Sequence, residues 1–105
     1  MELIYNFIKH FLTLTADNIK AIPTTDVVDE LGDGTVLGTN FLYTFERNMY
    51  SVSVLKDSIY IDSFPKVSQL RLNVNRETCI YSVDNPELMI TSDMIKFAKL
   101  LTKIY

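Results

Sequence analysis

The stretch from Thr39 to Ser63 alternates large apolar residues with smaller or polar ones through three successive segments. Alternation with a period of two places the apolar side chains of a strand on one face of a sheet. Two-residue turns at Arg47-Asn48 and Lys56-Asp57 keep these side chains on the same face. A one-residue slip would turn that face to water. We therefore predict a three-stranded antiparallel meander with one apolar face.

The two turns also predict which apolar residues lie opposite one another. Cross-strand pairs on one face are the unit that stabilises a sheet, so the pairing can be written residue by residue. The expected pairs are Phe45 with Tyr50, Tyr43 with Val52, Phe41 with Val54, Val54 with Ile59, and Val52 with Ile61.

Two more strands are expected after the meander. Phe64-Pro65-Lys66 interrupts the pattern, because proline cannot donate a hydrogen bond to a ladder. Alternation resumes at Leu70 and continues to Val74, and Asn75-Arg76 supplies the next turn. That turn pairs Leu72 with Cys79 and Leu70 with Tyr81, and Val83 continues the apolar face.

Apolar residues at helical spacing flank the strands. Leu3 to Leu12 predicts an amphipathic helix, whose apolar stripe extends through Thr15 and Ile19 to Ile22. Ser92-Asp93 begins a second amphipathic helix, and Asp84 to Glu87 is an earlier helix-start signal. The sequence predicts one α+β domain over residues 1–105, with an N-terminal helix, a five-stranded antiparallel meander-like sheet and a C-terminal helix. Both helices should cover the apolar face.

An acidic segment runs from Thr24 to Gly34. Thr25 is expected to cap a short helix that Gly32 ends. The acidic residues do not follow the ligand spacing of a calcium loop. A solvated loop, a cation site and a patch for a basic partner therefore stay open as interpretations. The acidic residues are Asp26, Asp29, Glu30 and Asp33.

The net charge, the length of the apolar runs and the numbers of cysteine and histidine residues argue against several classes of function. A net charge of −3 disfavours nucleic-acid binding, and no apolar run is long enough for a membrane span. One cysteine and one histidine provide neither a disulfide nor a zinc site. We expect a soluble cytoplasmic protein with no metal and no cofactor. The composition is typical of A+T-rich genomes, such as those of many phages and low-G+C bacteria.

No catalytic constellation is visible in the sequence. His10 is expected to be an exposed helix residue rather than a general base, because no partner is indicated for it. Cys79 is expected to point into the core, where thiols are usually inert. We therefore predict that the protein is not an enzyme and has no catalytic residue.

The reverse face of the predicted sheet is more apolar than a solvated face requires. Either the first helix or the segment from Thr15 to Leu31 covers this face, or a protein partner binds there. We predict a contiguous partner-binding patch centred on Leu55, Tyr60 and Phe64. The predicted site also includes the apolar residue Met49 and the polar residues Asp62 and Arg71. Leu42 and Ile80 are further apolar residues of the reverse face, outside the predicted site.

The order of elements resembles that of the type III secretion chaperones, in which a dimer wraps an unfolded effector segment. The helix that this family places between its third and fourth strands has no room in Pro65-Lys66-Val67. We predict a non-enzymatic protein-binding module, such as a small phage-type inhibitor or adaptor acting on a host protein. The alternatives are a dimeric chaperone for an exported or unfolded client, and a small enzyme or ligand-binding protein with a helix–sheet pocket. Surplus apolar surface on a 12.1 kDa chain also predicts a homodimer.

Overall fold

The computed structural model describes residues 2–73, 78–81 and 91–105. Within these ranges, helices α1 (Glu2–Phe11) and α2 (Ala16–Lys20) precede the sheet and helix α3 (Ser92–Ile104) follows it. Each strand pairs antiparallel with its sequence neighbours, which confirms the predicted α+β domain with an N-terminal helix, an antiparallel sheet and a C-terminal helix. The strands are β1 (Thr24–Val28), β2 (Val36–Phe45), β3 (Asn48–Leu55), β4 (Ser58–Phe64), β5 (Ser68–Asn73) and β6 (Thr78–Tyr81).

Helices α1 and α3 pack on one face of the sheet and bury its apolar side chains. The ring of Phe7 in α1 stacks on that of Tyr50, with centroids 4.2 Å apart, and meets Phe97 of α3 edge-on at 6.0 Å. Tyr43 is half-buried at the margin of this core. The predicted core face is confirmed, and its buried members are Phe41, Tyr50, Val52, Val54, Ile59, Ile61, Leu70 and Leu72.

The helix boundaries follow capping side chains. The Thr91 hydroxyl oxygen accepts a hydrogen bond from the Met94 N–H (3.2 Å), so α3 begins where the sequence predicts. The predicted extension of the first helix is wrong. Thr15 accepts from the Asn18 N–H and caps α2 instead, because a threonine hydroxyl competes with the helical backbone. Ile19 still reaches the core from this separate helix.

The register of β2 with β3 differs from the prediction by two residues. Glu46 and Arg47 form the turn, with φ of 50° and 64°, the positive values that suit the twist of a two-residue hairpin. Asn48 does not turn; it is buried, and its Oδ1 accepts a hydrogen bond from the Lys66 N–H (3.1 Å). A two-residue shift leaves every side chain on its expected face. The observed pairs are Phe45 with Asn48, Tyr43 with Tyr50 and Phe41 with Val52.

The remaining pairings are confirmed in all but one place. Val54 lies opposite Ile59 and Val52 opposite Ile61, as the Lys56-Asp57 turn predicts. Leu72 lies opposite Cys79, but the expected pairing of Leu70 with Tyr81 is wrong. A register shift beside Leu72 places Arg71 opposite Tyr81, because an irregularity inserts one residue into the pairing. The predictions for Val74, Asn75-Arg76, Val83 and 84–87 lie outside the described residues.

Strand β1 was not predicted. Residues 24–28 pair with β2, so the expected helix capped by Thr25 is wrong. Four of the five residues in this strand are β-branched, which favours an extended backbone. Gly34 forms the turn into β2 with a φ of 79°, a conformation that other residues adopt at a cost. The acidic segment is therefore the β1–β2 hairpin.

Candidate protein-binding surface

The sheet face opposite α1 and α3, here called the helix-free face, is not covered by any helix that the structure describes. The apolar side of α1 packs into the core, so the expectation that α1 covers this face is wrong. The segment from Thr15 to Leu31 does not cover it either, because that segment forms α2, β1 and the start of the next turn. No helix in the described ranges therefore packs on the side chains of this face.

The register arranges the helix-free face in rows that run across the strands. In an antiparallel sheet, residues directly opposite one another on one face are close neighbours, and diagonal positions lie about 7–8 Å apart. Three rows follow from the pairing: Asn40, Ser53, Tyr60 and Arg71; then Leu42, Ser51, Asp62 and Gln69; then Thr44, Met49 and Phe64.

Three exposed apolar residues meet at one end of this face. Met49 and Phe64 lie directly opposite one another, as predicted, and Leu42 is diagonal to Met49. Their side chains are 54% (Leu42), 38% (Met49) and 48% (Phe64) exposed. We call these three residues the apolar cluster. Large side chains gathered in this way are typical of an interaction surface, whereas single ones are not.

The residues of the predicted patch centred on Leu55, Tyr60 and Phe64 lie in two areas of the face, and binding of a partner to them stays a prediction. Tyr60 lies opposite Ser53 and only diagonal to Leu55, and it is four residues from Phe64, or about 13 Å along a strand. The row containing Asp62 lies between them. Leu55 and Tyr60 are each half-buried. The helix-free face therefore carries the apolar cluster at one end and a separate Leu55–Tyr60 pair at the other.

The polar groups between the two apolar areas bind one another. The Asn40 amide donates to the hydroxyl oxygens of Ser51 (3.0 Å) and Ser53 (2.9 Å). The Arg71 guanidinium carbon lies 5.1 Å from the centroid of the Tyr60 ring, within cation–π range. Arg71 and Asp62 are half-buried. These contacts satisfy polar side chains in the middle of the face. In the three rows, the exposed large apolar side chains are those of the apolar cluster.

His10 occupies an aromatic corner at the edge of the core. Its Nε2 lies 2.8 Å from the Tyr43 hydroxyl oxygen, and its ring stacks on Phe45 with centroids 4.3 Å apart. The residue is half-buried, so the expectation of an exposed helix residue is wrong. No local pattern indicates this contact, because Tyr43 and Phe45 are distant from His10 in the chain.

Two shallow cavities lie beside α3. One of about 230 Å³ is lined by Tyr5, Ile8, Lys9, Thr91 and Asp93. The other, of about 260 Å³, lies at the ends of β2 and β3, near Tyr105. Together they contain one carboxylate and no histidine. Across the described ranges, no group of three or more His, Cys, Asp or Glu side chains is arranged to hold a metal ion.

The β1–β2 hairpin closes its own loop. The Asp29 N–H donates to the Thr35 carbonyl oxygen (2.9 Å). Asp33 Oδ1 accepts from the Thr35 N–H (3.0 Å) and from the Thr35 hydroxyl. These hydrogen bonds from Thr35 lower the pKa of Asp33 below its usual value. Leu31, at the tip, is fully exposed.

Comparison with known proteins adds no functional information. The chain matches no protein-family model, and no curated protein or solved structure is significantly similar to it. Of the helices in residues 2–73 and 91–105, none has the length and hydrophobicity needed to cross a membrane. The side chains of Cys79 and Ile80 lie outside the described part, so the predictions made for them stay predictions.

Proposed function

We propose that the protein is a non-enzymatic protein-binding module that meets its partner through the apolar cluster of Leu42, Met49 and Phe64. The observation that carries this proposal is their exposure together on a sheet face that no described helix covers. Phenylalanine and methionine are enriched at protein interfaces, and burying them removes apolar surface from water.

The surroundings of the apolar cluster fit the anatomy of an interface. Protein interfaces combine an apolar centre with a polar rim that fixes orientation. Thr44, Ser51 and Asp62 adjoin the cluster and supply such a rim. Asp62 keeps its predicted role at the rim, whereas Leu55, Tyr60 and Arg71 form a secondary contact area at the far end of the face.

The physiological role that we propose is that of a small inhibitor or adaptor acting on a host protein, in the cytoplasm. Support for this role comes from the small size of the chain and from its composition, which is typical of A+T-rich genomes, those of many phages among them. A module of this kind needs only a rigid binding face. The strands β2 to β5 pair in chain order and supply a continuous face.

The test compares Phe64→Ala with Leu31→Ala in affinity capture from a host lysate and in thermal melting. Both residues are exposed, but Leu31 lies at the tip of the β1–β2 hairpin, away from the apolar cluster. Phe64→Ala should lose the captured protein, or weaken its binding about 10–100-fold, while melting is nearly unchanged. Leu31→Ala should retain it.

Two results would contradict the proposal. If Phe64→Ala lowers the melting temperature as much as a core substitution, Phe64 belongs to the packing of the domain. If both variants capture the same protein with the same affinity, the partner binds elsewhere on the molecule.

A further inference from the structure

We propose that the outer edge of β1 binds an extended basic peptide segment, which adds to the six-stranded sheet as a seventh antiparallel strand. This site shares only Leu42, which lines its cavity, with the apolar cluster. The proposal does not depend on what binds the apolar cluster, since it rests on the backbone, charge and cavity of the β1–β2 hairpin.

The first support is the open edge. β1 is the terminal strand of the sheet, and no strand in the described ranges pairs with its outer side. An unpaired edge presents a row of backbone donors and acceptors to any extended chain. Natural edges are blocked by lysine or other charged side chains, by proline, by bulges or by the shortness of the strand. Residues 24–28 contain no lysine or proline, and four of the five are exposed. The strand is short and carries one charge, Asp26, and one irregularity, between Val27 and Val28.

The second support is the charge of the hairpin. Residues 24–45 carry four acidic side chains and no basic one, so their formal charge is −4, while the whole chain carries −3. The remaining residues therefore sum to +1. The negative charge of the protein is concentrated beside the open edge. A complementary strand is one that carries lysine or arginine.

The same charge argues against a second copy of this chain at the edge. Antiparallel pairing of two β1 strands about their centre would place Asp26 opposite Asp26 of the copy. Like charges directly opposite one another destabilise a strand pair. It would also bring together two hairpins of formal charge −4. A basic segment reverses the sign of each of these interactions.

The third support is a cavity that suits an apolar side chain of the added strand. It has a volume of about 280 Å³ and is lined by Pro23, Thr25, Asn40, Phe41 and Leu42. Thr25 lies opposite Asn40, on the helix-free face, whereas Asp26 lies on the other face of β1. An added strand thus meets an apolar cavity on one face and a carboxylate on the other. Alternating apolar and basic residues fit this edge.

The experiment uses an eight-residue peptide of alternating lysine and valine as the probe. The control peptide alternates glutamate and valine, and a third peptide is the lysine–valine sequence with N-methylated amides on its pairing edge. The readouts on the full chain are NMR titration and amide hydrogen exchange. We expect the lysine–valine peptide alone to bind and to protect alternate amides within residues 24–28. Equal binding of the glutamate or N-methylated peptide, or no new protection in β1, would overturn the proposal.

Matched variants locate the site. Asp26→Lys should weaken binding of the lysine–valine peptide about tenfold, because a facing attraction becomes a repulsion. Glu46→Lys changes the net charge equally, but it lies in the turn just beyond the end of β2, whereas Asp26 faces Thr39. The strand from Thr39 to Phe45 spans about 20 Å, beyond the Debye length of about 8 Å at physiological salt, so binding of the peptide to Glu46→Lys should be unchanged. If both variants lose the same affinity for the peptide, the peptide responds only to the net charge of the protein, and the proposed strand pairing is wrong.

Phe64→Ala separates this proposal from the function proposed for the apolar cluster. The variant should bind the peptide as the unchanged protein does, because Phe64 lies on β4, three strands away from β1. Loss of peptide binding in Phe64→Ala would place the peptide on the apolar cluster and remove it from the β1 edge.

Discussion

Phe7 is the residue whose truncation should most clearly test the packing of α1 on the sheet. It is fully buried, and its ring contacts the rings of Phe11, Tyr43, Tyr50 and Phe97 at centroid distances of 4.2 to 6.0 Å. Replacement of a buried phenylalanine by alanine costs about 3–5 kcal/mol of unfolding free energy, through lost burial and the cavity left behind. Domains of this size have about 5–15 kcal/mol in total.

The cost converts into a shift of melting temperature. An unfolding entropy of about 2.1 cal/mol/K per residue gives roughly 220 cal/mol/K for a chain of 105 residues. A loss of about 3–5 kcal/mol therefore lowers the melting temperature of Phe7→Ala by about 14–23 °C. Phe7→Leu keeps most of the volume but loses the stacking on Tyr50, so its shift should be much smaller.

The assay is thermal unfolding followed by far-ultraviolet circular dichroism, with tyrosine near-ultraviolet dichroism as a second probe. Leu42→Ala serves as the control, because that side chain lies half in water on the helix-free face. Its melting temperature should move by only a few degrees. A shift below about 5 °C for Phe7→Ala, or equal shifts for the two variants, would refute the packing of α1 described above.

Three further predictions concern the core, the oligomeric state and the hairpin. Val52→Asp should unfold the domain, because a carboxylate would be buried in the middle of β3, and unchanged melting would show that the face assignment is wrong. Light scattering at micromolar concentration should give about twice 12.1 kDa, and a clean monomer mass would reject the dimer. The Asp33 carboxyl should titrate by NMR below its usual value of 3.8, and Thr35→Ala should raise that midpoint; no change would exclude the Thr35 hydroxyl as the cause. Because the folded pKa is depressed, the stability it contributes is present above about 3.8 and lost as pH falls through the lower folded value.

The faces of the central strands could be predicted from the sequence, but their register could not be fully predicted. A period of two assigns each residue of β2, β3 and β4 to a face whichever turn is chosen. The first turn lies one residue earlier than predicted, which shifts the pairing by two, because Asn48, a common type of turn residue, instead binds the Lys66 N–H. That hydrogen bond joins distant parts of the chain, and no local pattern indicates it.

The remaining differences also arise from contacts or exposure that a local pattern does not encode. β1 is an exposed edge strand, so it has no apolar alternation to reveal it. The irregularity beside Leu72 adds a residue to the pairing without a signal in the sequence. Each residue of the predicted site lies in the strand predicted for it. Its neighbours on the face, however, depend on the combined register of β2, β3 and β4. This is why Leu55 and Tyr60 separate from Phe64, while Leu42 joins Met49.

The order of the strands has a consequence for how the chain folds. Every strand pairs with its neighbour in sequence, so each hairpin closes only a short loop and can form early. The contact of Phe7 with Phe97 instead joins positions about 90 residues apart, and direct closure of so long a loop costs roughly 3 kcal/mol more entropy than closure of a hairpin turn. We expect the meander to be largely formed in the transition state and α3 to dock late. Truncation of Phe97 should then accelerate unfolding far more than it slows folding, so α3 acts as a kinetic latch on a sheet that assembles before it.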